Sequence, residues 1–293
     1  MKKISAIGEI LFDIYPGRKT LGGAPFNFIY HIIKLTGSGN FISAVGNDVA
    51  GNEIIQFIRK NEINDGYIQI KEEYPTGAAV ANLDENKIPH WEIITGTAYD
   101  HILREPSLQK LLDEQTDCLY FGTLAQRAAT SRETIQSLLD SKRLKFFCDL
   151  NIRQNYYSKE IIEKSLSAAN VLKLNIDELK LVNDLLINKP FDIVELSKAI
   201  AGNYKIDLIC VTMGEDGSYL ISGDDVNLFK QSISNVVDTV GAGDAFAAIL
   251  CLGYLSGWDI AKINKLSSEF ASEIVMIEGA LPKDDLIYEK FKI

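Results

Sequence analysis

The chain reads as an α/β fold: a central, mostly parallel sheet with helices on both faces, plus a small β-sheet lid. Three observations predict it. Short apolar runs recur along the 293 residues, each ending in a small or polar residue. Helical periodicity follows nearly every run, and repeated strand-then-helix units make parallel sheets covered on both sides. One stretch breaks that rhythm, with alternating strands and no helix between them.

In chain order, "ISAIGEILFDIY" (4–15) reads as the first strand and "NFIYHIIKLTG" (27–37) as a helix ended by Gly37. "NFISAVGND" (40–48) is a strand and "GNEIIQFIRKNEI" (51–63) a helix. "DCLYFGTL", "LKFFCDLN", "NVLKLN" and "IDLICVTMG" are further strands, each with a helix pattern behind it. The exceptional stretch is residues 66–96, where short strands flank an "LDENKI" turn. With part of "LFDIYPGRKT" it makes a lid, inserted from about 10–20 and 67–97 into a single domain over 1–293. A plain edge hairpin is the alternative. Exposed strand edges in such an insertion invite a homodimer through the lid.

Parallel sheets bind ligands beyond the carboxyl ends of their strands. The segments to inspect are therefore Gly8–Asp13, Gly46–Asp48, Gly122–Arg127, Asp149–Arg153, Asn175–Glu178 and Thr212–Gly217.

Composition narrows the function. A net charge of −10 argues against a nucleic-acid partner, since phosphate backbones select basic surfaces. It leaves room for a nucleotide, whose phosphates a few backbone amides can hold. The four cysteines are widely spaced in apolar runs without a CxxC pair, which predicts buried, reduced thiols in a cytoplasmic protein. Glu9 and Asp13 interrupt the first apolar run, so no signal peptide is expected. The uncharged run from Ala245 to Trp258 is too short to span a membrane.

The chemistry concentrates in "DTVGAGDAFAAILCLGYL" (238–255). Gly241, Ala242 and Gly243 can turn their N–H groups into one concavity, and the apolar run behind them predicts a buried helix whose N-terminus adds partial positive charge. That makes an anion hole suited to phosphate. Asp244 beside it could be an ordinary helix cap. It could equally accept the proton of a hydroxyl attacking a bound phosphoryl group. A Walker A loop is excluded because no Gly-Lys pair occurs, and a dinucleotide fingerprint fails because Phe246 stands at its third position.

"DTVGAGDAF" resembles the C-terminal signature of the ribokinase-like (pfkB-type) carbohydrate kinases. "GEILFDIYP" followed by "LGGAPFNFIYHI" resembles that family's sugar-binding segment. "AVGNDVAGNEI", "DLNIR", "LNIDE" and "VTMGEDGSYL" follow in the family's order, so the resemblance spans nearly the whole chain. It implies ATP-dependent phosphorylation of a sugar hydroxyl. Asp244 would be the base, Gly241, Ala242 and Gly243 the anion hole, and Asp13, Gly22, Gly23 and Asn27 the holders of sugar hydroxyls. Asn175 and Glu178 match the family's N-x-x-E motif, which implies Mg2+ held through water at Glu178. Thr212, Gly214 and Gly217 would contact the nucleotide, with a tight hairpin turn as the plain alternative. The adenine would lie against "SSEFASEIVMIEGA". Some relatives bind a monovalent cation such as K+ near the position of Asp238.

"YFGTLAQR", "TGTAYDHI" and "DLNIR" resemble the fructokinase branch, with Arg153 and Arg127 placed for a phosphate or sugar oxygen; surface arginines are the alternative. The branch's proline after "DLNIR" is absent, and "QNYYS" stands there instead. A ketohexose such as fructose is the first expectation. A 2-keto-3-deoxy sugar acid, another pentose or hexose, or a nucleoside follows. A non-catalytic sugar- or nucleotide-binding protein of the same fold is a different class, which the intact set of Asp13, Asn27, Gly241, Gly243 and Asp244 disfavours.

Overall fold

Each apolar run read above as a strand of the main sheet contains one, and the order of those strands determines where a ligand can sit. The computed structural model describes residues 2–83, 89–231 and 235–292. The chain begins with β1 (Ile4–Ile7), β2 (Leu11–Tyr15), β3 (Arg18–Gly22), α1 (Ala24–Thr36), β4 (Asn40–Gly46) and α2 (Val49–Lys60). Then come β5 (Ile68–Lys71), β6 (Gly77–Leu83), β7 (Pro89–Ile93), α3 (Pro106–Gln115), β8 (Cys118–Phe121) and α4 (Ala129–Leu138). Next are β9 (Lys145–Asp149), α5 (Lys159–Ala168), β10 (Val171–Asn175), α6 (Ile176–Val182), α7 (Ile193–Tyr204) and β11 (Leu208–Thr212). The chain closes with β12 (Ser218–Ser222), β13 (Asp225–Phe229), α8 (Ala242–Leu255), α9 (Ile260–Val275) and α10 (Leu286–Glu289).

Nine strands make the main sheet in the order β13-β12-β11-β10-β9-β8-β1-β4-β5. Only β12, next to the edge, runs against the rest, pairing antiparallel with both β11 and β13. The strands are apolar on both faces because each face carries helices. In β8, Leu119 and Phe121 pack with Ile135, Leu166 and Ile200 of α4, α5 and α7. Its alternate residues, Cys118 and Tyr120, pack on the opposite face with Phe28, Ile249 and Phe270 of α1, α8 and α9. The period-2 pattern thus divides one sequence between two cores. All four cysteines are buried and free. Among the described residues, no helix is long and apolar enough to cross a membrane.

A second sheet, β3-β2-β6-β7, forms the expected small β unit. It is mixed, since β2 pairs with β6 in parallel while the other two pairings are antiparallel.

The structure corrects two sequence boundaries. Residues 4–15 are not one strand: the chain breaks after β1 at Gly8, whose φ is 151°, and β2 enters the second sheet. A Cβ at Gly8 would fall 2.6 Å from Pro25 Cγ, so the break is also a close approach. The lid's second segment starts later than position 67, because β5 pairs with β4 at the edge of the main sheet. Most of the "LDENKI" turn lies outside the described residues.

Candidate active site

Strand order changes direction at β1. From there the chain builds outward through β4 and β5 on one side and through β8 to β13 on the other. Such a reversal opens a crevice at the carboxyl ends of the central strands. The segments after β1, β8, β9 and β10 meet there, and α8 points its N-terminus at them from one face.

The tip of α8 has the geometry expected of "GAGD". Gly241 caps the helix at φ 80°, a left-handed conformation that suits glycine. A Cβ there would lie 2.3 Å from Ala280 Cβ, so the turn and the segment after α9 are pressed together. The N–H of Ala242 makes only a long bond of 3.4 Å, to Thr239 O, and Gly243 is exposed. The tip therefore presents amide donors and helix-end charge outward.

Asp244 sits half-buried beside that tip. Asn27 Nδ2, from α1, donates to its Oδ2 at 2.8 Å. Loss of solvent, reinforced by the charge of Asp149, pushes the carboxyl up to about 7. The Asn27 bond, Lys173 and Arg153 act in the opposite direction. A carboxylate with that affinity for a proton is matched to general-base work near neutral pH.

Beneath the tip lies a network whose roles the motif reading left out. Lys173 Nζ bonds both oxygens of Asp149, at 3.1 and 2.9 Å, and the Tyr120 hydroxyl donates to the same carboxylate at 3.0 Å. Lys173 and Asp149 are register partners on β10 and β9, and both are buried. The Lys173 ammonium comes within 3.4 Å of where a Gly243 Cβ would stand. A buried cation thus underlies the helix tip. The visible signal was a lysine inside the apolar run "NVLKLN".

The residues expected to hold the sugar come from the second sheet and the loops. Asp13, on β2, faces Gly22 so closely that a Cβ there would lie 2.7 Å from its Oδ2. Gly23, at φ 111°, leaves space that a Cβ would take from Glu9 O, 2.5 Å away. Burial pushes Asp13 up to about 6; Arg153 opposes this and Asp238 adds to it. Arg153 is exposed in the loop after β9, between the left-handed residues Asn151 and Gln154. Its charge reaches Glu9, Asp13 and Asp244. Arg127 is no surface arginine. Its Nε and Nη2 hold Asp100 at 2.7 and 2.9 Å, Nη2 also donates to Ile94 O, and its side chain is 5% exposed.

The nucleotide-side residues divide. Asn175 caps α6, and Glu178 completes a capping box with it. Glu178 is buried, with Oε1 accepting from Ile152 N and Oε2 from Asn175 N, at 2.7 and 2.8 Å. Both oxygens are thereby committed to joining two strand ends. Among the described residues no cluster of three or more Asp, Glu, His or Cys is suited to a metal; the role expected of Glu178, holding Mg2+ through water, needs no such cluster, since Mg2+ keeps several waters and takes few direct protein ligands. Gly217 also has a packing reason, because a Cβ there would fall 2.0 Å from Phe229 O in the β11–β12 turn. Thr212 and Gly214 stand at the mouth of that turn, partly open or exposed. Asp238 braces its loop by accepting from Val240 N and Gly279 N.

Residues 14–284 match the model of the pfkB family carbohydrate kinases. A fructokinase from Salmonella typhimurium is 26% identical over 259 residues, covering 84% of this chain and 82% of that protein. Among solved structures, an uncharacterized sugar kinase from Pyrococcus horikoshii superposes with a TM-score of 0.81 at 24% identity, covering 94% of this chain and 93% of its own. The fructokinase from Vibrio cholerae O395 bound to fructose, ADP and calcium ion gives 0.81 at 20% identity, covering 100% and 99%.

Proposed function

Since the chain belongs to the pfkB family of carbohydrate kinases, we propose that it transfers the γ-phosphoryl group of ATP to a sugar hydroxyl, with fructose, giving fructose 6-phosphate, as the first acceptor. One observation carries the reading: Asp244, held by Asn27 and poised near neutrality, stands beside an outward-facing helix tip underlain by the Lys173 ammonium. The acceptor O–H gives its proton to the Asp244 carboxylate. The oxygen bonds to γ-phosphorus as the bond from phosphorus to the β–γ bridging oxygen breaks, and ADP leaves. The amides of 241–243 and Lys173 stabilise the charge on the transferred group, with no rearrangement needed at that moment.

Asp13, Gly22 and Gly23 give the sugar a carboxylate and a close approach to backbone, and Arg153 can swing over it. Exposed Val236, Val237 and Met276 lie together next to the 238–244 loop, since Val237 N bonds Val275 O. They suit the face of an adenine ring. The fructokinase relatives support fructose as acceptor. The exposed guanidinium of Arg153 favours a 2-keto-3-deoxy sugar acid as the second reading.

ADP release measured over fructose, ribose, 2-keto-3-deoxygluconate and adenosine tests the acceptor. Asp244→Asn is expected to lower kcat by about 10³-fold or more while nucleotide affinity stays within about twofold. Near-normal turnover in that variant would remove Asp244 from the role of base.

A further inference from the structure

Eight buried side chains among the described residues leave a polar atom without a hydrogen-bond partner. Four of these atoms are Glu9 Oε2, Asn27 Oδ1, Tyr99 Oη and Arg127 Nη1; Glu9, Tyr99 and Arg127 feel one another's charges, and Asn27 joins them through Asp244, whose charge reaches Glu9. Glu9 follows β1 and Arg127 follows β8, strands paired with Ile7 opposite Phe121. Tyr99 reaches the same place, since a Cβ at Gly77 would meet both its ring and Ile10 O, at 2.7 and 2.8 Å. The Arg127 guanidinium lies 4.9 Å from the centre of that ring. The charges of Asp244, Arg153 and Arg127 all reach Glu9. Folded proteins satisfy nearly all their buried polar atoms, so a cluster of exceptions points to an absent partner.

The cluster is also rigid. Glu9 is 2% exposed and Tyr99 wholly buried. Arg127 is held by Asp100 and Ile94 O and packed between Tyr99 and Tyr156, which leaves Nη1 aimed and idle. Preorganised groups of this kind lose little freedom on binding.

We propose that Glu9, Tyr99 and Arg127 form a subsite for the hydroxyls of a neutral sugar remote from the transferred oxygen, with Glu9 as its specificity-determining residue. This deepens the kinase reading and rests on it. The donor and acceptor inventory selects the ligand class. In its ionised form the Glu9 carboxylate, like the Asn27 amide oxygen, requires donors; a guanidinium N–H requires an acceptor, and a phenol takes either. A sugar hydroxyl supplies both functions. A sugar acid's carboxylate brings acceptors alone and would meet Glu9, with Asp13 and Asp244 close by. The exposed Arg153 serves the phosphoryl end in this arrangement.

Calorimetric titration of fructose, ribose and 2-keto-3-deoxygluconate into wild type, Glu9→Gln and Tyr99→Phe tests the subsite, alongside ADP-release kinetics. Wild type should bind its best neutral sugar more tightly than the sugar acid. Glu9→Gln should weaken the neutral sugar about tenfold or more, with the KM for ATP unchanged and the sugar acid held equally well or better. Tyr99→Phe should weaken the neutral sugar in the same direction, so loss of fold in one variant leaves the other to decide. Equal weakening of neutral and acidic sugars, unchanged sugar affinity, or a wild-type preference for the acid would each overturn the proposal. A wild type that binds sugar but releases no ADP would instead overturn the kinase reading, while the affinities still judge the subsite.

Discussion

Three carboxyl groups around the crevice hold their protons unusually firmly, and loss of solvent is the largest cause for each: Glu9 and Asp244 at about 7, Asp13 at about 6. A base must be ionised to accept a proton, so kcat/KM should fall as pH drops through about 7. Asn27→Ala removes the bond that favours the ionised form of Asp244 and should move this acid limb to higher pH. A pH–rate profile that stays in place would detach the limb from Asp244. The same groups tilt stability. A carboxyl whose folded affinity for protons exceeds its unfolded one favours the fold fully below about pH 4, and that contribution is lost as pH rises to about 7. Melting temperature should therefore decline from about pH 5 to 8 in wild type. Glu9→Gln should decline less, because its side chain stays neutral. A steeper decline in the variant would contradict the burial argument. Residues were legible in proportion to how local their reason is. "GAGD" declares itself through glycines and an acid at a helix start. Glu9 read only as an interruption of an apolar run, and Lys173 passed unnoticed, because what makes them matter is the β1–β8 and β9–β10 pairing.

At the scale of elements, apolar runs and helical patterns identified six strands of the main sheet, β1, β4 and β8 to β11, and the helices near the site. The break inside residues 4–15 was invisible, since both halves are apolar and only Pro25, from α1, explains why Gly8 turns. The role of Glu178 was equally hidden, because its Ile152 partner comes from another strand end. Helix α8 offers a controlled comparison between its two ends. Gly241 and Gly257 both adopt left-handed φ, 80° and 69°. At Gly257 a Cβ meets open space, whereas at Gly241 it meets Ala280 at 2.3 Å. Gly257→Ala should cost about 1–2 kcal/mol, the strain of that conformation alone. Gly241→Ala adds overpacking and should cost about 3 kcal/mol, with turnover lost as the tip shifts. Urea unfolding of the two variants checks the difference, and equal costs would show that the Ala280 contact yields freely.

For the molecule as a whole, the question is how the second sheet sits on the first. Asp13 belongs to the small sheet, whereas Asp244 and Arg153 belong to the main body, so a bound sugar must touch both. The base of the small sheet joins the main cores through Leu11, Phe12, Ala79 and Ile93, but its outer fastenings are slight. Arg18 pairs with Glu278 and Lys19 with Glu53, all at exposed side chains. Exposed pairs contribute about 0.2–1 kcal/mol each. Gln154 and Tyr156 add hydrogen bonds to Trp91 O and Ile93 O. Two of the four covalent links run through Gly8 and Gly22–Gly23, where glycine tolerates changes in backbone angle. A sheet whose outer end is fastened so lightly can pivot on that base for a few kcal/mol of differential binding, which a sugar spanning Asp13 and Asp244 can supply. Sugar should thus draw the sheet over the crevice and exclude water, suppressing ATP hydrolysis without an acceptor. Hydrogen exchange in Leu11–Tyr15 and Gly77–Leu83 should slow on adding sugar, with a smaller radius of gyration in solution scattering. Exchange and scattering that ignore a saturating sugar would mean the two sheets form one rigid body, and the crevice would have to shield its chemistry without closing.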